Sequence, residues 1–165
     1  MASLNQAAIK ANQLTRTDFF SSSKIQTRWA DNDIFGHINN VTYYSYVDTA
    51  VNNYLIHVGG FEPQSAAIIS VVAESRCQYF HSISYPDTVE THIRVKKLSQ
   101  RSVIYEVGLF KENCETICAF CHFVHVFVER DSNKVVPIPE RIRRALEKLI
   151  YTFSNELAGK EIHSS

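Results

Sequence analysis

The sequence lacks the features that mark several large classes of protein. No stretch of its 165 residues approaches the roughly 18 consecutive apolar residues that a membrane-spanning helix needs, so no membrane span is predicted. Lys and Arg together number 17, and so do Asp and Glu. Because neither sign of charge is in excess, no overall field attracts nucleic acid, and we expect no nucleic-acid partner.

The chain has four cysteines, and no secretory signal peptide is recognisable. The sequence favours reduced thiols and therefore a cytoplasmic protein. We expect residues 1–23 to be a flexible leader. Organelle import directed by residues 1–24 is an open alternative, because a serine run and few acidic residues give a faint likeness to a transit peptide. The four cysteines are Cys77, Cys114, Cys118 and Cys121.

Hydrophobic residues are plentiful, at 45% of the chain, and aromatic residues make up 12%. This composition excludes a disordered chain, and the length suits a single domain with its own core. We place that domain at residues 24–150 and a C-terminal tail at 151–165. Internal repeats and low-complexity segments are absent from the sequence.

One long helix is predicted to follow residue 40. Asn39 or Asn40 suits the N-cap, and Gly59 and Gly60 supply the left-handed residue that ends many helices. Apolar side chains recur at helical spacing over about five turns, which predicts one buried stripe. The stripe consists of Val41, Tyr44, Val47, Val51, Tyr54, Leu55 and Val58.

The other predicted elements are strands joined by short polar turns, followed by a closing helix. Residues 24–29 suit an edge strand, and residues 68–72 a buried strand. Residues 89–96 alternate between apolar and polar, as in a half-solvated strand. Two further strands are predicted at 103–109 and 116–128, and a helix that begins at Pro139 carries the apolar residues Ile142, Ala145, Leu146, Leu149 and Ile150. Short turns require antiparallel neighbours, so the class is α+β, with one helix packed on a curved antiparallel sheet.

A polar loop at residues 31–37 delivers a carboxylate, an imidazole and two amides to the start of the long helix. Turn-forming residues and a glycine predict that this segment is irregular. A helix N-terminus presents unpaired N–H groups that can stabilise an oxyanion, and a nearby carboxylate could act as nucleophile or general base. These parts fit acyl transfer or hydrolysis, and they also fit purely structural roles.

The pattern Asp-x-Asp-x-x-Gly-His-x-Asn-Asn-x-x-Tyr, which begins at Asp31, resembles the signature of the hotdog-fold acyl-CoA thioesterases of the 4-hydroxybenzoyl-CoA thioesterase family. The loop is also similar to that of the plant acyl-carrier-protein thioesterases. The likeness covers roughly residues 24–149. It implies a curved sheet wrapped around a central helix, dimers or tetramers with active sites at subunit interfaces, and hydrolysis of an acyl thioester to a free acid and a thiol.

By this resemblance Asp33 matches the catalytic carboxylate, the Asn40 N–H polarises the thioester carbonyl, and His37 matches the histidine of the plant-type loop. From the residues alone, His37 could equally well hold the loop in shape, and Asp31 is interpreted as structural. The plant-type set does not transfer whole, because Phe35 stands where those enzymes have asparagine and their downstream glutamate has no counterpart. The residues predicted to contact substrate are Gly36, Asn39, Tyr43, Lys97 and Arg101.

Other functions fit the same pattern. An enoyl-thioester hydratase or dehydratase of this fold would use a carboxylate and a histidine as an acid–base pair, and a non-catalytic protein would bind acyl thioesters without turnover. No cofactor is expected beyond the coenzyme A that belongs to the substrate.

No metal is expected either. The loop does not match a calcium-binding EF-hand, because Phe35 and Thr42 stand at positions where calcium ligands are required. Cys118 and Cys121, three apart on a predicted strand, should face opposite sides and pack in the core.

Overall fold

A computed structural model describes residues 11–151 of the chain. Five strands form one antiparallel sheet in the order β1-β3-β4-β5-β2. The two helices are α1 and α2. The elements in chain order are β1 (Ser21–Gln26), α1 (Asn40–His57), β2 (Ile68–Tyr79), β3 (Thr88–Leu98), β4 (Ser102–Lys111), β5 (Ile117–Glu129) and α2 (Glu140–Glu147).

Helix α1 packs on the inner face of the sheet, and α2 closes the core at the far end of α1. Short turns between β3, β4 and β5 make these neighbours antiparallel, as the sequence predicts. The α+β prediction of a sheet with one long central helix and a C-terminal helix is therefore confirmed. Residues that form the main core include Val47, Leu55, Tyr105, Leu109, Phe127 and Leu146.

The buried face of α1 was predicted correctly at its centre and wrongly at its ends. Val41 is 67% exposed and Val58 is 44% exposed, although both belong to the predicted stripe. The predicted stripe and the buried face differ by a small rotation about the helix axis. The tyrosines suit either one, because a tyrosine ring is apolar and its hydroxyl is polar. The buried residues are Tyr43, Tyr46, Val47, Ala50, Val51, Tyr54 and Leu55.

Strand β2 is not the buried strand that its apolar run predicted. It lies at the edge of the sheet and pairs only with β5. Val71 is 39% exposed and Val72 is 49% exposed. An apolar run is typical of burial on both faces, but here the covering layer is absent from the described part of this single chain.

The outer face of β3 is covered rather than half-solvated. Arg94 is only 7% exposed, and its guanidinium pairs with Glu106 of β4 at 2.7 Å. Phe19 lies over this face, with its ring centroid 6.0 Å from that of His92 and 6.2 Å from that of Phe110. The polar side chains at alternate positions of β3 predicted that this face is exposed to solvent. The prediction is wrong because a segment distant in the sequence packs on it, which the sequence of β3 does not reveal.

That covering segment precedes the predicted start of the domain at residue 24. Strand β1 begins at Ser21, and a short 3-10 turn at Arg16–Asp18 comes before it. The Arg16 guanidinium pairs with Glu90 of β3 at 2.6 Å. The structure thus differs from the flexible leader predicted over 11–23. Residues 1–10 and 152–165, where the rest of the leader and nearly all of the tail fall, lie outside the described residues.

Candidate active site

The start of α1 is fixed by its N-cap, as predicted. The Oδ1 atom of Asn39 accepts a hydrogen bond from the Val41 N–H at 3.0 Å. The Asn39 N–H in turn donates to the Asp31 carbonyl at 2.9 Å. This arrangement ties the polar loop directly to the first turn of the helix.

The loop itself is a tight reversal closed by backbone hydrogen bonds. Asn32 and Ile38 form an antiparallel bridge, and between them the Asp33 N–H donates to the His37 carbonyl at 2.9 Å. Gly36 has a φ of +86°, which only glycine adopts readily, although no atom lies within 4 Å of the place where a Cβ would stand. The glycine therefore serves the turn, and the space beside it is open.

Asp31 anchors the loop from inside. It is 2% exposed, and it accepts hydrogen bonds from the Arg28 guanidinium at 2.8 Å and from the Tyr46 hydroxyl of α1 at 2.6 Å. Burial raises the pKa of this carboxyl, but the hydrogen bonds from Arg28 and Tyr46 outweigh it and lower the pKa below its ordinary value. Asp31 is thus an ionised structural group, in keeping with the interpretation of the sequence.

Asp33 has a different environment from Asp31. Its Oδ1 accepts a hydrogen bond from the Phe35 N–H at 2.8 Å, and its side chain is 21% exposed. Among the described residues its Oδ2 has no hydrogen-bond partner. The His37 Nδ1 lies 4.0 Å from Oδ1, too far for a hydrogen bond but close enough for one water or substrate atom to contact both side chains.

A cleft of about 280 Å³ opens at this point between the loop, the start of α1 and the end of β2. One carboxylate and two imidazoles share it with an aromatic wall. Its lining residues are Asp33, His37, Ile38, Asn40, Tyr43, Tyr79, Phe80, His81 and Ser82.

The backbone N–H of Asn40, a residue that lines the cleft, is an unpaired hydrogen-bond donor. It has no acceptor among residues 11–151, and it lies at the positive end of the α1 dipole. The Tyr79 hydroxyl donates to the Asn40 carbonyl at 3.2 Å, which holds β2 against the first turn of the helix. An oxygen carrying negative charge could therefore bind at this N–H.

Tyr43 forms the floor of the cleft as a neutral side chain. Its ring meets that of Tyr79 edge-on at 5.0 Å, and it is 4% exposed. Burial raises the pKa of Tyr43 to about 12, so its hydroxyl keeps its proton at neutral pH. Tyr43 thus offers an apolar ring surface and an uncharged hydroxyl.

Not every residue predicted to contact substrate lies at the cleft. Asp33, His37, Asn40 and Tyr43 line it, whereas the Asn39 side chain is engaged in capping. Gly36 belongs to the same loop but faces open space.

Lys97 and Arg101 are exposed at the opposite end of β3 from the loop. The start of β3 adjoins the loop, since the Ser84 hydroxyl donates to the Gly36 carbonyl. Lys97 lies nine positions after Thr88, which corresponds to about 30 Å along a strand. Within one described chain Lys97 and Arg101 therefore lie away from the cleft, and their contact with substrate stays a prediction.

Five lining residues were missed at the sequence level, namely Ile38, Tyr79, Phe80, His81 and Ser82. Ile38 belongs to the loop, Tyr79 ends β2, and the other three follow Tyr79 directly. A histidine at the end of a predicted strand is a signal that could have been noticed. Its proximity to Asp33 was not visible, because the contact joins segments almost fifty residues apart.

The described residues contain no group of three or more His, Cys, Asp or Glu side chains that could hold a metal ion. Cys118 and Cys121 are buried in the core, as predicted. The argument from opposite faces was wrong, however. A bulge in β5 at Cys118, visible in its pairing with β4, places both thiols in the same core cluster. Neither helix within residues 11–151 is long and apolar enough to cross a membrane.

The sequence profile of the thioesterase-like superfamily matches residues 27–146, well over half of the chain. The chain belongs to the thioesterase-like superfamily. This matched segment begins just before the polar loop and ends within α2, so it contains the whole cleft.

Solved structures agree with this membership. The chain is similar to the PA5185 protein from Pseudomonas aeruginosa, with 46% identity and a TM-score of 0.82 over 84% of this chain and 96% of that one. It also resembles the PA2801 protein of the same organism, a candidate thioesterase, with 27% identity and a TM-score of 0.73 over 78% and 98%.

The DHNA-CoA thioesterase from Staphylococcus aureus is 23% identical, with a TM-score of 0.68 over 88% of this chain and 95% of that one, which is evidence for the fold alone. The fold of this superfamily member is the hotdog fold that the resemblance implied.

Proposed function

We propose that this protein hydrolyses acyl-CoA thioesters to a free carboxylic acid and coenzyme A. The observation that carries the proposal is the meeting of two groups in one cleft. Asp33, with its half-buried carboxylate, and Asn40, with its unpaired N–H at the start of α1, both line it. Membership of the thioesterase-like superfamily supports the same reaction class.

In this reaction the carbonyl oxygen of the thioester accepts a hydrogen bond from the Asn40 N–H, where the helix dipole also favours negative charge. Asp33 then attacks the carbonyl carbon or removes a proton from an attacking water. The carbon–sulfur bond breaks, the thiol leaves with a proton, and the oxygen of water ends in the carboxylic acid. Water is the only co-reactant, so the residues of the cleft perform the reaction without a cofactor.

The neighbouring side chains suit a thioester. The rings of Tyr43 and Tyr79 offer an apolar wall beside the carbonyl site. His37 lies 4.0 Å from Asp33, from where it can orient the attacking water or the thioester. The position of His37 supports a role in the reaction and is compatible with orienting either the water or the thioester.

The first test compares the unmodified protein with Asp33→Asn on a panel of acyl-CoA substrates, with a thiol reagent reporting free coenzyme A. We expect hydrolysis by the unmodified protein and a loss of 100-fold or more, on the order of what general acid–base and nucleophilic groups contribute, in Asp33→Asn. Asp131→Asn, in an exposed turn far along the chain, is the matched control and should retain full activity.

Equal hydrolysis by Asp33→Asn and the unmodified protein would refute the role of Asp33. Saturable binding without turnover in either would identify a binding protein instead. A 2-enoyl thioester converted to a product heavier by one water, with the thioester intact, would identify a hydratase that uses Asp33 and a histidine of the same cleft.

We also propose that the protein works as a dimer or higher oligomer. Two observations support this. The edge strand β2 exposes Val71 and Val72, and the loop tip beside Asp33 exposes Ile34 and Phe35, at 94% and 79%. Unpaired edges and exposed apolar clusters are typical of surfaces that a partner covers. Lys97 and Arg101, far from the cleft within one chain, could contact substrate only across such an interface.

The test of oligomerisation is Val72→Lys, which places a charge on the exposed part of β2. We expect a lower molecular mass in solution than for the unmodified protein, measured by light scattering after size-exclusion chromatography. Val135→Lys changes a residue of the same type and of similar exposure, 50%, and should leave the mass unchanged. A monomeric unmodified protein would contradict the proposal.

We place the protein in the cytoplasm. The four cysteines are all free thiols in the structure, as in proteins of reducing compartments. Fractionation of cells that produce the full chain tests this. Recovery within an organelle would contradict it and would point to an import role for residues 1–24.

A further inference from the structure

Two of the four cysteines face each other across neighbouring strands. Cys77 of β2 is the direct register partner of Cys121 of β5. Their sulfur atoms lie 2.7 Å apart, with the Cys121 thiol donating to the Cys77 sulfur. Even two carbon atoms rest in contact only at about 3.5–4.0 Å, so the two thiols are pressed together rather than merely adjacent.

The backbone positions suit a covalent bond. The Phe80 N–H donates to the Cys118 carbonyl at 2.8 Å, so Phe80 and Cys118 form a hydrogen-bonded pair. Hydrogen-bonded and non-hydrogen-bonded pairs alternate along an antiparallel ladder, which makes Cys77 and Cys121 a non-hydrogen-bonded pair. In such pairs the Cα atoms are about 4.5 Å apart and the side chains are close, within the range of about 4.4–6.8 Å that disulfides span.

The two thiols differ in chemical character. Cys77 is half-buried, and the hydrogen bond from Cys121 lowers its pKa, with a smaller contribution in the same direction from the Tyr79 hydroxyl. Cys121 is buried, and its hydrogen bond to Cys77 together with burial raises its pKa. Cys77 is thus the more accessible sulfur and the one with more thiolate character, which is the combination that oxidants attack.

We propose that Cys77 and Cys121 form a peroxide-sensitive dithiol that closes to a cross-strand disulfide within one chain. The Cys77 sulfur attacks one oxygen of a hydroperoxide, the oxygen–oxygen bond breaks, and water or an alcohol leaves. Cys77 is then a sulfenic acid. The Cys121 sulfur attacks it, the sulfur–sulfur bond forms, and the sulfenic oxygen leaves as water with the proton of Cys121. Two thiols lose two electrons, and the peroxide gains them.

The disulfide would lie close to the part of β2 that lines the cleft. Tyr79, two residues after Cys77, lines the cleft and donates its hydroxyl proton to the Asn40 carbonyl. A covalent bond between β2 and β5 at this position would tie the edge strand to the sheet beside the first turn of α1. The other two cysteines have no sulfur partner within residues 11–151. Cys118 donates to the Thr116 carbonyl, and Cys114 follows the β4–β5 turn.

The experiment treats the fully reduced protein with hydrogen peroxide, removes the peroxide, unfolds the protein in denaturant, and blocks the remaining thiols with an alkylating reagent. We expect two of four thiols to escape alkylation, a mass lower by two hydrogen atoms before alkylation, and a peptide that joins Cys77 to Cys121. A reducing agent should restore all four thiols. The double variant Cys114→Ser/Cys118→Ser should form the same cross-link and keep no thiol that can be alkylated.

Cys121→Ala separates the two steps. In this variant Cys77 should stop at the sulfenic acid and be trapped by a cyclic diketone, while Cys77→Ala should give no such product at residue 121. The proposal is overturned if the unmodified protein, still folded by circular dichroism, keeps four alkylatable thiols. It is also overturned if the cross-link joins two chains or includes Cys114 or Cys118.

Discussion

Asp31 and Asp33 lie two positions apart in one loop, yet their environments are opposite. Asp31 is 2% exposed and fully engaged with Arg28 and Tyr46, whereas Asp33 keeps one oxygen without a partner in the cleft among the described residues. A buried carboxylate satisfied by hydrogen bonds stabilises the loop, and a half-buried carboxylate with a free oxygen can react. The difference between them is therefore one of partners rather than of residue type.

His125 is a second residue whose surroundings decide its behaviour. It is 2% exposed between Tyr105 and Phe123, and its Nδ1 has no hydrogen-bond partner among the described residues. Burial lowers the pKa of His125 to about 4. Between about pH 6.5 and pH 4 the unfolded chain therefore binds a proton that the folded chain does not, and stability is lost as the pH falls through this window.

His125→Phe tests this dependence, since phenylalanine keeps the ring contacts and cannot take up a proton. For the unmodified protein His125 should contribute a loss of about 2 kcal/mol between pH 7 and pH 5, and His125→Phe should lack that part of the loss. Urea unfolding at the two pH values measures it. Equal losses in both proteins would mean that His125 is protonated in the folded state as readily as in the unfolded chain.

At the scale of the element, α1 supplies both core residues and the N–H that we propose polarises the thioester carbonyl. Its N-cap connects the two, because the Asn39 side chain holds the first turn, where Asn40 lines the cleft. Asn39 was predicted both to cap the helix and to contact substrate. The hydrogen bond of its Oδ1 to the Val41 N–H supports the first role.

Asn39→Ala separates these roles. Loss of the cap should lower the free energy of unfolding by about 1 kcal/mol, while Asn39→Ser, which keeps an acceptor oxygen, should lose only a few tenths. Denaturant unfolding gives these values. In assays with an acyl-CoA that the unmodified protein hydrolyses, the KM of Asn39→Ser should stay within about twofold of the unmodified value. A large rise in KM in both variants with unchanged stability would assign Asn39 to substrate binding.

For the whole molecule, the covering of the outer sheet face decides what is buried. Phe19 packs against His92 and Phe110 and against the guanidinium of Arg94, whose centre is 5.3 Å from the ring. The first described residues thus form a second, smaller core on the face of the sheet opposite α1. Residues 11–20 belong to the folded unit because they complete this layer.

Phe19→Ala measures what that layer contributes to the free energy of unfolding. The side chain is 7% exposed, so its removal should lower the free energy of unfolding by about 3 kcal/mol. The adjacent Phe20 is 45% exposed, and Phe20→Ala should cost under about 1 kcal/mol. Chemical denaturation of both variants against the unmodified protein gives the comparison. Similar small losses would indicate that residues 11–20 do not stabilise the sheet.

The sequence by itself determined whatever depends on local spacing. The N-cap at Asn39, the length of α1, the antiparallel order of β3, β4 and β5 and the loop motif around Asp33 all follow from neighbours within a few residues. Periodicity, capping and turn chemistry act over that range, and they are written directly in the chain.

Only the tertiary structure decided which surfaces are covered. Burial of Arg94 under Phe19, exposure of Val71 on the edge strand, the bulge that turns Cys118 inward and the meeting of Tyr79 and His81 with Asp33 all join distant segments. The same alternating strand can face solvent or another layer, and the chain reveals which only when the segments that pack on it are in place.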